Sequence, residues 1–224
     1  GKTTYSGFKV CLWLGEVHTL IEANEHSVIG MTELFNKVSN DAKFAKNTGN
    51  SIMASGHTAV MAVGEYKCSE GTCAAPKGTG AMLRTDELYG EVRCVNDNAE
   101  CVLNGENSRR GMIVWGTGID KLSIRATTFQ NGQIAGYGGG LQIGWGAKVE
   151  VNICVFTNCN SIDSLTGSGG GAIEVSSLGG GTLNVYGTNF IGNKAESGLG
   201  NDIYINNLGT ITIHNTCPSP YSSF

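Results

Sequence analysis

The chain has 224 residues, among them 34 glycines, 3 prolines and 8 cysteines, with 40% apolar and only 8% aromatic side chains. That apolar share, with no three-residue glycine period, excludes a disordered or collagen-like chain, and no run of 18 apolar residues is present to insert in a membrane as a helix. A formal charge of −4 supplies no basic patch for nucleic acid or anionic lipid, so neutral or cationic partners fit better than polyanions.

The first residue is glycine, and Phe8–Leu14 is too short and mixed for the apolar core of a signal peptide, so the chain reads as processed or excised, its targeting segment missing. Residues 28–46 carry the one helical pattern. There Met31, Leu34, Phe35, Val38, Ala42 and Ala45 recur at three-or-four spacing, with Thr32 at the position of an N-cap. A helix ahead of stacked strands would cover the open end of their core. Residues 1–54 are therefore expected to form an N-terminal segment with a capping helix, and 55–224 one continuous domain. His57–Val63 reads as a buried strand that turns at Gly64–Tyr66 and opens the first rung. Met82–Arg84 and Glu91–Val95 supply strands of an early rung.

From residue 122 onward a motif returns. A short alternating strand recurs at Leu122–Ile124, Val149–Ile153, Leu183–Val185 and Ile211–Ile213. The first three copies are followed by a phenylalanine and an asparagine, Phe129/Asn131, Phe156/Asn158 and Phe190/Asn193. Glycines at 138–140, 169–171 and 200 then open a second strand, Leu141–Ile143, Ile173–Val175 and Ile203–Ile205. The period of about 27 to 34 residues marks a solenoid in which each unit is one rung.

Alternation sends Leu122, Ile124, Val149, Val151, Leu183, Val185, Ile211 and Ile213 inward, with Leu141, Ile143, Ile173, Val175, Ile203 and Ile205. It sends Lys121, Ser123, Arg125, Lys148, Glu150, Asn152, Asn184, Thr212 and His214 to solvent, with Gln142, Glu174 and Tyr204. Leu88, Trp115, Trp145, Leu178 and Leu208 recur at a corner and are expected to stack as an apolar ladder. Asn104, Asn131, Asn158 and Asn193 keep the rung spacing, as a hydrogen-bonded corner ladder would.

Six of the eight cysteines form close pairs, Cys68/Cys73, Cys94/Cys101 and Cys154/Cys159, each able to close a small loop, while Cys11 and Cys217 lie near the ends. Gaps of five and seven without a nearby histidine suit zinc poorly, whereas disulfides suit a secreted or cell-surface chain.

With the rungs laid out, the chain resembles the right-handed parallel β-helices of the pectate-lyase-like superfamily. Gly170–Ile173 and Phe190–Asn193 match the GGAI and FxxN motifs of the polymorphic outer-membrane-protein repeats. Gly139–Gln142, Phe129–Asn131 and Phe156–Asn158 are degenerate copies. Cys101–Met112 and Thr210–Pro220 also look like predicted secreted β-helix proteins of diatoms and related algae. The resemblance spans roughly residues 55 to 217 and implies an all-β, single-stranded right-handed parallel β-helix. The bacterial repeats imply surface display and adhesion, and the lyase branch implies polysaccharide cleavage.

Catalytic constellations are sparse. Asp86/Glu87 is the only adjacent acid pair beside scattered Asp97, Asp120, Asp163 and Asp202, and nothing repeats as a calcium cage. Glu150 and Glu174 project outward from one rung but on different sheets, which suits a glycosidase pair poorly. His18, His26, His57 and His214 are scattered, and no nucleophile elbow, zinc-protease helix, phosphate loop or dinucleotide fingerprint occurs. Arg109 and Arg110 concentrate positive charge that can hold an acidic sugar group, against the plainer reading of a solvated corner or a salt bridge to Glu106. Trp115, Tyr137 and Trp145 offer a sugar platform if exposed and a packed ladder if buried. The sequence thus predicts no catalytic, cofactor or metal residue. It predicts an extracellular structural or adhesive module, part of a surface assembly or filament, whose partners are like modules and cell-surface glycans. A polysaccharide lyase or hydrolase and a non-catalytic glycan-binding module are the alternatives.

Overall fold

The computed structural model describes residues 19–21, 29–30, 44–47, 50–53, 57–61, 63–67, 80–86, 90–116, 121–162, 169–176, 179–196, 198–206 and 208–214. Side chains are described from Met61 onward, except at 84–86. Every regular element among them is a strand, and no helix there is long and apolar enough to cross a membrane.

The strands stack into four parallel sheets. A seven-stranded sheet runs β1 (Thr19–Ile21), β5 (His57–Met61), β8 (Gly90–Cys94), β11 (Lys121–Arg125), β15 (Lys148–Asn152), β19 (Gly181–Tyr186) and β23 (Gly209–His214). A six-stranded sheet holds β2 (Ile29–Gly30), β6 (Gly64–Lys67), β9 (Cys101–Asn104), β12 (Thr127–Gln130), β16 (Val155–Thr157) and β20 (Asn189–Ile191). A five-stranded sheet holds β7 (Ala81–Asp86), β10 (Arg110–Trp115), β14 (Leu141–Gly144), β18 (Ile173–Val175) and β22 (Ile203–Ile205). A minor sheet holds β13 (Gln133–Ile134), β17 (Asn160–Ser161) and β21 (Lys194–Ala195). The rungs β10 to β13, β14 to β17 and β18 to β21 each visit the five-stranded, seven-stranded, six-stranded and minor sheets in turn, which makes the chain a parallel β-solenoid.

Register explains the core. Leu122 pairs with Val149, Val149 with Leu183 and Leu183 with Ile211, so one apolar file runs up the inside of the seven-stranded sheet. Phe129, Phe156 and Phe190 occupy one register position on the six-stranded sheet. Their rings stack at 4.6 Å and 5.4 Å with interplanar angles of 2° and 9°. Strand spacing of about 4.8 Å brings identical rings into offset stacking range without further adjustment.

Corners repeat too. Ala126 (φ 50°), Ile153 (φ 55°) and Gly187 (φ 49°) share one left-handed position between the seven- and six-stranded sheets. Ladder bonding survives the bend, since the Ala126 and Ile153 amides still donate to Asn152 and Tyr186 one rung on. Gly138, Gly170 and Gly200, at φ +57°, +69° and +64°, each precede a strand of the five-stranded sheet, and a Cβ there would collide with the carbonyl oxygen three residues ahead.

Several expectations change. The helix expected over residues 28–46 meets strands at both ends, Ile29–Gly30 and Phe44–Asn47. The latter pairs antiparallel with β4 (Asn50–Met53), and residues 31–43 lie outside the described residues. Strands β1 and β2 pair in parallel with β5 and β6. Cys94 and Cys101 are disulfide-bonded, but Cys154 and Cys159 are separate buried thiols that donate to the Ile124 and Phe129 carbonyls at 3.3 and 3.5 Å. Cys154 ends one bend and Cys159 begins the next, with strand β16 extended between them. Five residues at about 3.3 Å each hold the two sulfurs apart. Cys11, Cys68, Cys73 and Cys217 lie outside the described residues.

The asparagine ladder is broken as well. Asn131 Nδ2 donates to Asn104 Oδ1 at 3.3 Å, but Asn158 is exposed. Asn193, one residue further from its phenylalanine, is buried and bonds the Phe156 carbonyl and Asp202 instead. Leu88 and Leu178 lie outside the described residues, and Trp145 and Leu208 are exposed, so the corner ladder is not a buried one.

Candidate functional site

Two lateral faces carry the chemistry. On the five-stranded sheet, alternation points Ile113, Gln142, Glu174 and Tyr204 outward in one file, each on its own rung. At the start of β10, Arg110 is buried and its guanidinium is clamped. Its Nε donates to the Gly138 carbonyl at 2.7 Å and its Nη2 to the Tyr137 carbonyl. The Gln133 amide donates to the Arg109 carbonyl at 2.9 Å, which draws Ile134 and Ala135 alongside the sheet. A Cβ at Gly80 would stand 2.8 Å from Ile134 Cδ1, so glycine makes room there. Together Gly80, Arg110, Ile113, Trp115, Ile134, Ala135 and Gln142 line a cavity of about 240 Å³.

Burial sets the electrostatics of this face. It lowers the Arg110 pKa to about 10 against the pull of Glu174. It raises the Glu174 carboxyl to about 7, outweighing its hydrogen bond from Gln142 and the attraction of Arg110. Glu174 Oε2 is buried with no hydrogen-bond partner.

Of the five residues expected to contact glycan, Arg110 and Trp115 line the cavity and Tyr137 contributes its backbone carbonyl. The Trp145 ring lies 6.5 Å from that of Trp115 and is 48% exposed, with its backbone at φ 56°. Arg109 stands outside the lining. Ile113, Ile134, Ala135 and Gln142 escaped sequence reasoning because only the turn at 131–138 brings the minor sheet beside β10. The signal available was the outward position of Gln142.

The outer face of the seven-stranded sheet was expected in solvent, yet Glu91, Ser123, Arg125, Glu150 and Asn152 are buried there. Register forms two files, Glu91, Ser123 and Glu150 beside Arg93, Arg125 and Asn152. Arg125 is held by Asp97 through bonds of 2.8 and 2.7 Å, and Lys121 meets Glu150 at 2.7 Å. Burial pushes the Glu91 carboxyl up to about 7, since the attraction of Arg93, whose Nε lies 3.8 Å from Oε2, and of Arg125 does not offset the lost hydration. Both Glu91 oxygens, Ser123 Oγ, Arg125 Nη1 and Asn152 Oδ1 are buried without hydrogen bonds. Alternation gives the side a residue faces but not whether that side is covered. At the end of this sheet Tyr186 stacks on His214 at 4.1 Å, and His214 Nε2 lies 3.3 Å from Asn184 Oδ1.

Glu150 and Glu174 sit on different sheets, as expected. Among the described residues no group of three or more His, Cys, Asp or Glu side chains is arranged to hold a metal ion. The side chains of Asp86, Glu87, Asp120, Asp163, His18, His26 and His57 lie outside the described residues. No protein-family model, curated protein or solved structure matches the chain.

Proposed function

We propose that the chain is an extracellular structural and adhesive module, built as a stiff solenoid whose flat faces and ends engage like modules and cell-surface glycans. The observation that carries this reading is the unbroken register of parallel strands about one aliphatic and phenylalanine core. A continuous backbone ladder resists bending, and the Cys94–Cys101 bond fits the oxidising compartment in which such a module would work. Adhesion then needs no moving part, only side chains held at rung spacing. Trp145 and Tyr137, both exposed beside the five-stranded sheet, are the aromatic contacts a glycan would meet.

Incubation with a panel of intact wall and matrix polysaccharides tests the reading. Retention of the protein without shortening of the polymer is the expected result. Cleavage would instead favour the second reading, a polysaccharide lyase or hydrolase. That reading draws on Glu91, a buried carboxyl raised to about 7, as a general acid or base requires, on the same face as the unpartnered atoms Ser123 Oγ, Arg125 Nη1 and Asn152 Oδ1. If cleavage occurs and Glu91→Gln abolishes it, the enzymatic reading replaces the adhesive one.

A further inference from the structure

The cavity beside β10 offers few polar side chains to a sugar. A hydroxyl-rich ring needs a hydrogen-bond partner for nearly every substituent, because each polar group buried unpaired costs about 1–3 kcal/mol. The lining offers two polar side chains, Arg110 and Gln142, while Gly80, Ile113, Ile134, Ala135 and Trp115 form the rest.

The charged group of the lining is built for an anion. Arg110 is 5% exposed, and carbonyl oxygens of residues 137 and 138 fix two of its three nitrogens, so its plane cannot turn. Its Nη1 has no hydrogen-bond partner among the described residues and carries two N–H groups. A carboxylate accepts from such a donor with a charge-assisted bond, and a donor already locked in place loses little entropy in making it. Gln142 hydrogen-bonds Glu174, which keeps the amide oriented beside the arginine. Glu174 is the carboxyl that acts on Arg110 from the neighbouring rung, and its burial favours the uncharged form that an incoming anion tolerates.

Size narrows the choice further. At about 240 Å³ the cavity falls below the roughly 300–1,000 Å³ of sites for drug-sized ligands, which leaves space for one ring. Trp115 contributes an aromatic surface and Ile113 and Ile134 branched aliphatic ones, which a flat apolar ring covers well.

We propose that this cavity binds a small aromatic monocarboxylate, its carboxylate on Arg110 Nη1 and its ring against Trp115 and Ile113. The site adjoins the glycan contacts of the adhesive reading, Trp145 lying 6.5 Å from Trp115 and Tyr137 holding Arg110 through its carbonyl, but it takes a ligand of different chemistry.

Calorimetric titration of the intact chain below neutral pH tests the site, with benzoate as the probe and benzamide as its uncharged counterpart of the same shape. Saturable benzoate binding at one site, about tenfold tighter than benzamide, is expected. Ala135→Trp, at an exposed residue of the rim, should fill the cavity and remove benzoate binding, whereas Ala135→Ser should retain it. Equal affinity for benzoate and benzamide, tighter binding of glucose or glucuronate than of benzoate, absence of benzoate binding, or unchanged binding in Ala135→Trp would each overturn the proposal. Light scattering on the same samples reads the assembly state separately, so loss of this site and loss of the structural reading are distinguishable.

Discussion

Asp97 grips Arg125 with both carboxylate oxygens, Oδ1 on Nε at 2.8 Å and Oδ2 on Nη2 at 2.7 Å, across a turn that the Cys94–Cys101 disulfide closes. Arg125 is fully buried on the outer face of the seven-stranded sheet, so the pair neutralises a charge that water does not reach. Removing one partner of a buried pair leaves the other uncompensated and costs about 3–5 kcal/mol. Asp97→Ala should therefore lower the urea unfolding free energy by that order. Combining it with Arg125→Met should restore much of the loss, and a double variant no more stable than Asp97→Ala would refute the pairing account.

The disulfide contributes on its own account by shortening the unfolded chain's options. A loop this small is expected to give about 2–3 kcal/mol. Cys94→Ser with Cys101→Ser should lose that amount and should also weaken the effect of Asp97→Ala, because the turn that aims the carboxylate is then less fixed. Strict additivity in a double-mutant cycle would show that the loop and the ion pair act independently.

Glu91 and Glu174 give stability a direction in pH. Burial raises both carboxyls from 4.5 to about 7, so the folded chain holds protons that the unfolded chain releases between those values. Their contribution is full below pH 4.5 and is lost as pH rises through about 7, on the order of 3 kcal/mol for each group. Denaturant melts should thus show stability declining from about pH 5 to pH 8. Glu91→Gln and Glu174→Gln should each flatten part of that decline, and an unchanged slope in both variants would contradict the shifts.

Phe156 sits between two stacked rings, whereas Phe190 has one such neighbour and is less buried. Phe156→Ala should cost about 3–5 kcal/mol and Phe190→Ala measurably less. Equal losses would mean that the stack adds nothing to simple burial.

Cys154 and Cys159 are thiols whose burial raises them to about 11 and about 12, well above the range of reactive cysteines. Both should resist a thiol reagent in the native state and react fully after unfolding. A non-reduced peptide map that joins Cys154 to Cys159 would overturn this assignment.

Much of this architecture was legible in the sequence for a simple reason: burial alternates every second residue, and a strand of a solenoid repeats that alternation at a fixed distance. Leu122, Val149 and Leu183 announced their own register, and the glycines at 138, 170 and 200 marked corners where a side chain does not fit. The outer faces were not legible. Ser123, Arg125 and Asn152 have the polarity of solvent-facing residues, and nothing in a period of two says that a polar face is covered. The cysteines failed for a geometric reason. Short gaps enclose a turn between Cys94 and Cys101 but an extended strand between Cys154 and Cys159. Of the candidate site, Arg110 and Trp115 could be found by residue type alone, while Ile134 and Ala135 come from another sheet and meet them only after the corner glycines have turned the chain.

The most direct test of the structural role is the mass and shape of the native, non-reduced protein, by light scattering together with negative-stain microscopy. The account predicts rods or fibres that persist on dilution and come apart only with reductant or denaturant. A 23.5 kDa monomer at every concentration, with no elongated particles, would contradict it.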